Sequence, residues 1–204
     1  MKLGPKYKIA RRLGAPIFEK TQTQKFKMRA GAEGAGAKGK RPKPKSEFAT
    51  QMLEKQKARY TYGVLERQFR KYVKGALAQK TMKAEDKLFA SLETRLDNVV
   101  YRMGLANSRK LARQIVSHGH MTVNGTRVTI PSYTVYEKDV IAIRPLSQSR
   151  TLFEKASEKM KEASVPQWIK VDPEKKEGTI VGVPKTAPGE TIFEIASILE
   201  FYQR

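Results

Sequence analysis

The chain has 204 residues, and 41 lysines and arginines against 20 aspartates and glutamates give it a formal net charge of +21. A small domain needs a net charge of only about 2 to 8 to stay soluble, so this excess predicts a polyanionic partner. The sequence lacks both a run of roughly 18 apolar residues and a signal-peptide apolar core, which favours nucleic acid over a membrane. With no cysteine, disulfides and thiolate metal sites are excluded.

The positive charge is concentrated towards the N-terminus, with +12 in residues 1–45, +5 in 46–90, +5 in 91–150 and −1 in 151–204. Residues 1–45 are rich in glycine, proline and cations and have few large apolar side chains after Phe26. This composition predicts an extended basic arm that orders only against phosphates. Its candidate RNA contacts are Lys6, Lys8, Arg11, Arg12, Lys38, Lys40 and Arg41.

A glycine pattern in the arm imitates a nucleotide-binding motif. Gly34, Gly36 and Gly39 form G-x-G-x-x-G, and the stretch also fits most of a P-loop. Neither motif follows a predicted strand, Arg41 stands where a P-loop has Ser or Thr, and Pro42 opposes the helix that should follow. Nucleotide binding is therefore disfavoured.

Two helices are predicted after the arm, from a cap at Ser46 to about Tyr60 and from about Tyr62 to Leu77. The second has an apolar face that includes Phe69 and a face of four cations with no acid among them. Like charges at this spacing repel, so a phosphate-facing stripe is favoured over a merely solvated face. The candidate contacts in this region are Lys55, Arg59, Arg67, Arg70, Lys71 and Lys74.

The next segment predicts two short basic helices. Apolar spacing indicates one helix over Leu92–Met103, ended by Gly104, and a second from a cap at Ser108 to about His118. Cations lie beside the apolar face of each helix, which favours RNA recognition over a role in solubility alone. The candidate contacts are Arg95, Arg102, Ser108, Arg109, Lys110, Arg113 and Asn124.

A hairpin follows at Asn124-Gly125, the strongest short-range turn signal. Its strands are predicted at Met121–Val123 and Thr126–Ile130, and another strand at Val140–Ile143. His118 and His120 could share a strand face as metal ligands, but with no third ligand nearby a helix end and a surface position are the favoured interpretations. We therefore expect neither metal nor cofactor.

Three further elements are expected near the C-terminus. Short strands are predicted at Trp168–Val171 and Thr179–Val183, joined by a charged turn. Ile195, Ile198 and Leu199 have helical spacing.

Three strings in the chain carry a family resemblance. EKQKARYTYGVLERQF (Glu54–Phe69), ETRLDNVVYRMG (Glu93–Gly104) and RQIVSHGHMTVNG (Arg113–Gly125) closely resemble bacterial small-subunit ribosomal protein S4. A looser likeness runs from LGPK near the start to ILEFYQR at the end. The resemblance covers nearly the whole chain.

The resemblance implies a fold of the α+β class. It implies an extended basic arm (1–45), an all-helical domain (46–91 plus about 190–204, through a returning C-terminal helix) and an RNA-binding domain (92–189, core module 92–155). In this last domain two RNA-facing helices lie on a small, mostly antiparallel sheet, an arrangement called the alpha-L motif.

The resemblance also implies a function. Members of the family are primary binders of small-subunit ribosomal RNA that nucleate assembly of the subunit body at a multi-helix RNA junction. They contact ribosomal protein S5, an interface connected with decoding accuracy, and line the channel through which messenger RNA enters. The chain is accordingly expected to be cytoplasmic and monomeric within the ribosome.

Two departures from the family are visible. Many relatives carry paired cysteines in the arm that bind zinc or an iron-sulfur cluster, whereas this chain has none, so a metal-free arm is implied. The simple Gly31–Gly39 segment is also unusual, which leaves open the RNA contacts of the arm.

Two other classes of protein share features of this sequence. The same two-helix module occurs in pseudouridine synthases, whose catalytic aspartate lies in an R-L-D string that Arg95-Leu96-Asp97 reproduces. Here the string lies inside the module, and too few residues follow Ile143 for a catalytic domain, so no enzymatic activity is expected. The alternative is a free RNA-binding regulator or ribosome-associated stress factor, but such proteins usually lack the YGVLERQF helical region.

Overall fold

The computed structural model describes residues 4–24, 26, 46–79, 81–186, 189 and 191–203. Internal contacts divide the chain into two compact units. The helical unit comprises Met1–Leu88 and Thr186–Arg204, and the mixed unit comprises Phe89–Lys185. Helices together with a five-stranded antiparallel sheet confirm the predicted α+β class.

The helical unit is built from amphipathic helices with defined ends. The Ser46 hydroxyl accepts a hydrogen bond from the Ala49 N–H (3.3 Å), as its N-cap position predicts. Gly63 ends the same helix with φ +61°. The described helices are α1 (Lys6–Leu13), α2 (Glu47–Tyr62), α3 (Glu66–Ala78), the first part of α4 (Ala84–Glu93) and α8 (Ile195–Gln203).

The start of the chain differs from the extended arm that its composition predicts. Residues 6–13 form α1, and Ala10 and Leu13 are buried in a small cluster against Leu53 and Tyr60 of α2. Composition averaged over 45 residues hid this short apolar segment, because residues 27–45 carry most of the glycine and proline. Lys38, Lys40 and Arg41 lie outside the described residues.

The mixed unit places helices on an antiparallel sheet. The strands run in the order β2-β1-β3-β5-β4, and every neighbouring pair is antiparallel. The helices are α5 (Leu96–Arg102), α6 (Arg109–Ser117) and α7 (Ala156–Glu162). The strands are β1 (Met121–Val123), β2 (Thr126–Val128), β3 (Val140–Ile143), β4 (Ile169–Asp172) and β5 (Glu177–Ile180).

The core of this unit lies between the helices and the sheet. Val99, Ile115 and Ile141 are each no more than 1% exposed, and Phe153 joins the same cluster. Burying a side chain of this size contributes about 1.5 to 3 kcal/mol. This packing fixes α5 and α6 on the sheet, so side chains on their outer faces have defined positions.

The predicted helix Leu92–Met103 is interrupted. α4 ends at Glu93 and α5 begins at Leu96. Between them, Arg95 forms an antiparallel bridge with Thr134, and the Leu96 N–H donates to the Tyr133 carbonyl (2.8 Å). The interruption therefore depends on a partner segment almost 40 residues away, which helical periodicity cannot reveal.

The hairpin prediction is confirmed. Asn124 has φ +49° and Gly125 has φ +79°, as a type I′ turn requires. β2 ends at Val128, two residues before the predicted Ile130. The strand Val140–Ile143 is confirmed at its predicted bounds.

Gly104 is required for two reasons. Its φ is +82°, and a Cβ built there would lie 2.6 Å from the Ala163 Cβ and 2.8 Å from the Lys159 backbone oxygen. We expect Gly104→Ala to lower the free energy of unfolding by about 3 kcal/mol, because the left-handed conformation costs roughly 1 kcal/mol and overpacking about 2. Urea denaturation measures this change.

Gly125→Ala is the matched control for that substitution. Gly125 also has positive φ, but nothing lies within 4 Å of a Cβ built there. The control should lose only the conformational part, about 1 kcal/mol. Equal losses in the two variants would show that the contacts with α7 do not constrain Gly104.

Candidate RNA interface

A buried carboxylate joins α5 to α6. Asp97 is 4% exposed and accepts hydrogen bonds from Arg95 Nε (3.0 Å) and Nη2 (2.8 Å). Arg113 of α6 donates to the same carboxylate from Nε (2.9 Å). One anion is therefore held between two guanidinium groups, and such charge-assisted bonds are among the strongest in proteins.

A second buried carboxylate extends this arrangement. Glu93 is fully buried, and Arg102 binds it with two hydrogen bonds, from Nε (2.9 Å) and Nη2 (2.8 Å). Asn98 Nδ2 donates to the same side chain (2.9 Å), and Asn98 Oδ1 accepts from Arg109 Nε (2.8 Å). The Arg109 guanidinium also lies 4.4 Å from the centre of the Tyr101 ring.

These bonds fix the arginines without burying all of them. The Arg113 side chain is 30% exposed and that of Arg102 is 22% exposed, whereas Arg95 is 3% exposed. A guanidinium already held in place loses less conformational entropy when it binds an anion. We call Arg102, Arg109 and Arg113, with Glu93, Asp97 and Asn98 beneath them, the arginine network.

Two of the predicted contacts are cations that bind acids within the fold. Arg95 is buried against Asp97, and Lys55 lies 3.1 Å from Glu66 Oε1 and 4.3 Å from the centre of the Phe201 ring. Both cations are thus bound inside the fold, and their role as RNA contacts stays a prediction. Helical spacing did not reveal either pair, because Asp97 is two residues after Arg95 and Glu66 is on the helix after that of Lys55.

Glu66 is the centre of a similar arrangement in the helical unit. It accepts hydrogen bonds from Lys55, Arg59 (2.7 Å) and the Tyr202 hydroxyl (2.6 Å). Burial raises the pKa of Glu66, but these three hydrogen bonds outweigh burial and lower the pKa below its usual value. Arg59 is therefore a structural cation that joins α2 to α3.

The remaining predicted contacts either form hydrogen bonds within the fold or are exposed. The Ser108 hydroxyl accepts from the Leu111 N–H (3.1 Å) as the α6 N-cap, and Asn124 bonds to Asp139 (2.8 Å) and the Val140 N–H (2.8 Å). The two side chains thus stabilise the start of α6 and the hairpin turn. The exposed predicted cations are Lys8, Arg11, Arg12, Arg67, Arg70, Lys71, Lys74 and Lys110, and Lys6 is half-buried beside the Phe18 ring.

The cationic face of α3 agrees with its predicted amphipathicity. Phe69 and Val73 are 0% exposed, and the exposed cations occupy the other face of the helix. Three cations of the mixed unit were missed in the sequence, namely Arg127, Arg144 and Arg150. They lie on a strand and in loops, where a cation has no helical stripe to mark it.

The two histidines differ in environment, because His118 is exposed at the end of α6 whereas His120 is buried, contrary to the surface position expected from the sequence. Their ring centres are 6.1 Å apart, and His120 Nδ1 lies 3.0 Å from the Ser147 hydroxyl. Burial lowers the pKa of His120, and the nearby Arg150, His118, Arg127 and Arg144 lower it further. Within the described ranges, no three His, Asp or Glu side chains are grouped to hold a metal ion.

Comparison with known proteins places this arrangement in a family. The S4 domain matches residues 94–141, and the ribosomal protein S4/S9 N-terminal domain matches residues 2–93. Small ribosomal subunit protein uS4 of Roseiflexus sp. (strain RS-1) is 43% identical over 98% of both chains. That of Chloroflexus aurantiacus is 40% identical over 99% of this chain and 98% of the relative, and that of Christiangramia forsetii is 46% identical over 89% and 88%.

The chain belongs to the uS4 family. The family predicted from the three sequence strings is therefore confirmed, and uS4 is a family of structural, RNA-binding ribosomal proteins rather than of enzymes. The arginine network falls almost entirely within the S4 domain match, with Glu93 one residue before it. Among the described residues, no helix is both long and apolar enough to cross a membrane.

The Asp97 carboxylate should be essential to the S4 domain of this uS4 chain. Asp97→Asn keeps the shape of the side chain but leaves the buried Arg95 cation without its anion. Breaking a buried pair in this way costs about 3 to 5 kcal/mol, which chemical denaturation of the full chain would measure.

Glu137→Gln is the control for the Asp97 substitution. It removes the same charge from an exposed position in the same unit and should change stability by less than about 0.5 kcal/mol. A comparable loss in both variants would mean that net charge, rather than the buried pair, determines stability.

Proposed function

We propose that this chain is a structural constituent of the small ribosomal subunit that binds small-subunit ribosomal RNA. Relatives over nearly its whole length are named small ribosomal subunit proteins. The observation that carries the proposal is the arginine network, in which buried carboxylates hold partly exposed guanidinium groups on α5 and α6. A surface of prepositioned arginines suits the phosphates of a folded RNA.

The arginine network favours recognition of RNA shape. Its guanidinium groups have fixed positions, so they match phosphates and 2′-hydroxyls only where RNA helices meet at suitable positions. The network offers no comparable means of reading base edges in the deep major groove of an RNA helix. Affinity therefore comes mainly from neutralised phosphates and should depend strongly on salt.

The helical unit supplies a second basic surface. Arg67, Arg70, Lys71 and Lys74 are exposed on α3, opposite its buried face. We infer that the two units bind separate RNA helices and so clamp a multi-helix junction, which would nucleate assembly of the subunit body. The domain division predicted at about residues 91 and 190 is part of this proposal.

Three finer roles rest on the resemblance of the sequence strings to ribosomal protein S4. They are contact with ribosomal protein S5, a contribution to translational accuracy, and contact with messenger RNA in the channel through which it enters. We propose these roles for this chain on the basis of that resemblance.

Lys110→Glu tests the RNA-binding role of α6. Lys110 is exposed on the same helix as Arg109 and Arg113, so its reversal leaves the buried carboxylates untouched. We expect weaker binding to small-subunit ribosomal RNA and a plot of log affinity against log salt whose slope is shallower by about 0.7 to 0.9. Filter binding at several salt concentrations gives this slope.

Lys170→Glu on β4 is the matched control, because it makes the same charge change at an exposed position of the same unit. Its slope should equal that of the unchanged chain. Equal effects of the two substitutions would mean that RNA binding depends on the overall charge of the protein and not on a contact made by α6.

Assembly into the subunit is tested by sedimentation of the tagged full chain from growing cells. A structural constituent should migrate with small subunits in near-equal molar amount, and crosslinking within those particles should join it to S5. Recovery mainly as free protein, or in far less than an equimolar amount, would favour a free RNA-binding regulator or a ribosome-associated stress factor over a structural constituent.

A further inference from the structure

A second group of arginines lies at the C-terminal end of α6. Arg127 is on β2, Arg144 follows β3, and Arg150 precedes a short 3-10 helix. Arg127 and Arg150 are exposed and Arg144 is half-buried. We call these three residues the hairpin-side cluster.

Arg127 and Arg144 contact the short segment His118–His120, and a turn joins Arg150 to Arg144. The Arg144 N–H donates to the His120 carbonyl (2.8 Å), and the Arg127 guanidinium lies directly against Gly119. The turn from Arg144 to Arg150 is held by the Ser147 N–H bond to the Arg144 carbonyl (2.8 Å) and the Arg150 N–H bond to the Ser147 carbonyl (3.1 Å).

Side chains hold this turn against the sheet. The Ser147 hydroxyl lies 3.0 Å from His120 Nδ1, and the His120 ring packs edge-on against the buried Phe153 at 5.8 Å. The positions of the arginine backbones are therefore set by core contacts and do not depend on a partner.

The charges of the hairpin-side cluster are not balanced within the described residues. Arg102 and Arg113 each bind a buried carboxylate, but no described acid forms an ion pair with Arg127, Arg144 or Arg150. The C-terminus of α6 supplies about half a negative charge, which can satisfy part of one cation and not three. Burial is the main cause of the lowered pKa of His120, and the charges of these three arginines lower it further.

The position of the cluster indicates which partner it fits. From Arg109 to His118 the chain rises along α6 by about 13 Å, at 1.5 Å per residue. One phosphate cannot bridge that distance, so the cluster and the arginine network need different parts of one polyanion. Guanidinium groups on three separate segments suit an extended phosphate backbone better than a small anion.

We propose that Arg127, Arg144 and Arg150 form a second phosphate-binding surface, which contacts another stretch of the same ribosomal RNA. This inference rests on the proposed function, because it takes RNA as the partner of α6. With the arginine network it gives the mixed unit two separate contacts with the RNA backbone. Two contacts restrict how the unit can rotate on the RNA, whereas one does not.

The test compares two triple variants of the full chain in salt-dependent binding to purified small-subunit ribosomal RNA. The first carries Arg127→Gln, Arg144→Gln and Arg150→Gln. The control carries Lys161→Gln, Lys170→Gln and Lys175→Gln, which removes three positive charges at exposed positions of the same unit. Denaturation midpoints establish that both variants fold.

The arginine variant should show a salt slope shallower by about 2, because each lost phosphate contact removes about 0.7 to 0.9. The control should keep the slope of the unchanged chain. An unchanged slope in the arginine variant, or equal changes in both variants, would overturn the inference. If the arginine variant does not fold, Arg150→Gln alone replaces it, with an expected change of about 0.7 to 0.9.

The Lys110→Glu variant separates this inference from the proposed function. If it weakens binding while the arginine variant does not, RNA binding by α6 stands and the second surface is excluded. If the unchanged chain itself fails to bind ribosomal RNA, the proposed function fails and takes the inference with it.

Discussion

The buried carboxylate of Asp97 is the contact on which the mixed unit depends. Burying one charge costs several kcal/mol, and only partners with good geometry offset that cost. Asp97 has two such partners, Arg95 from its own segment and Arg113 from α6. The bond to Arg113 joins the two helices and at the same time holds a cation at the surface. Stability of the unit and placement of a candidate RNA contact therefore have one physical cause.

Arginines that look equivalent in the sequence occupy three different environments. Arg95 is buried and neutralises a carboxylate, whereas Arg113 is held by that carboxylate and remains partly exposed. Arg127 is exposed and has no described acidic partner. Arg95 therefore offers little to an anion. Arg113 offers a contact whose position is fixed, and Arg127 offers a positive charge that no described acid balances. The number of cations is thus a poor measure of a nucleic-acid surface, and the positions of the acids decide which cations are available.

Local signals in the sequence predicted much of the fold. The cap at Ser46, the spacing in α6 and the Asn124-Gly125 turn each involve neighbouring residues, so periodicity and turn chemistry sufficed. The break before α5 was missed because its partner strand segment lies around Thr134. The candidate site was predicted at the level of helices and residue types, but not in its pairing. Lys55 and Arg95 were taken as surface contacts because their acids, Glu66 on the next helix and Asp97 two residues away, do not have the three- or four-residue spacing of a pair on one helix.

The net charge of residues 91–150 underestimates how positive the electrostatic potential is at their surface. This segment has 9 basic residues and 4 acids, a net of +5. Glu93 and Asp97 are buried, and Asp139 is bound to Asn124 and the Tyr136 N–H, which leaves Glu137 as the one exposed acid of this segment. Most negative charge is thus held below the surface, where it orders the cations. The surface that an approaching polyanion contacts therefore carries little negative charge. This follows because the acids of the segment form hydrogen bonds and ion pairs inside the fold.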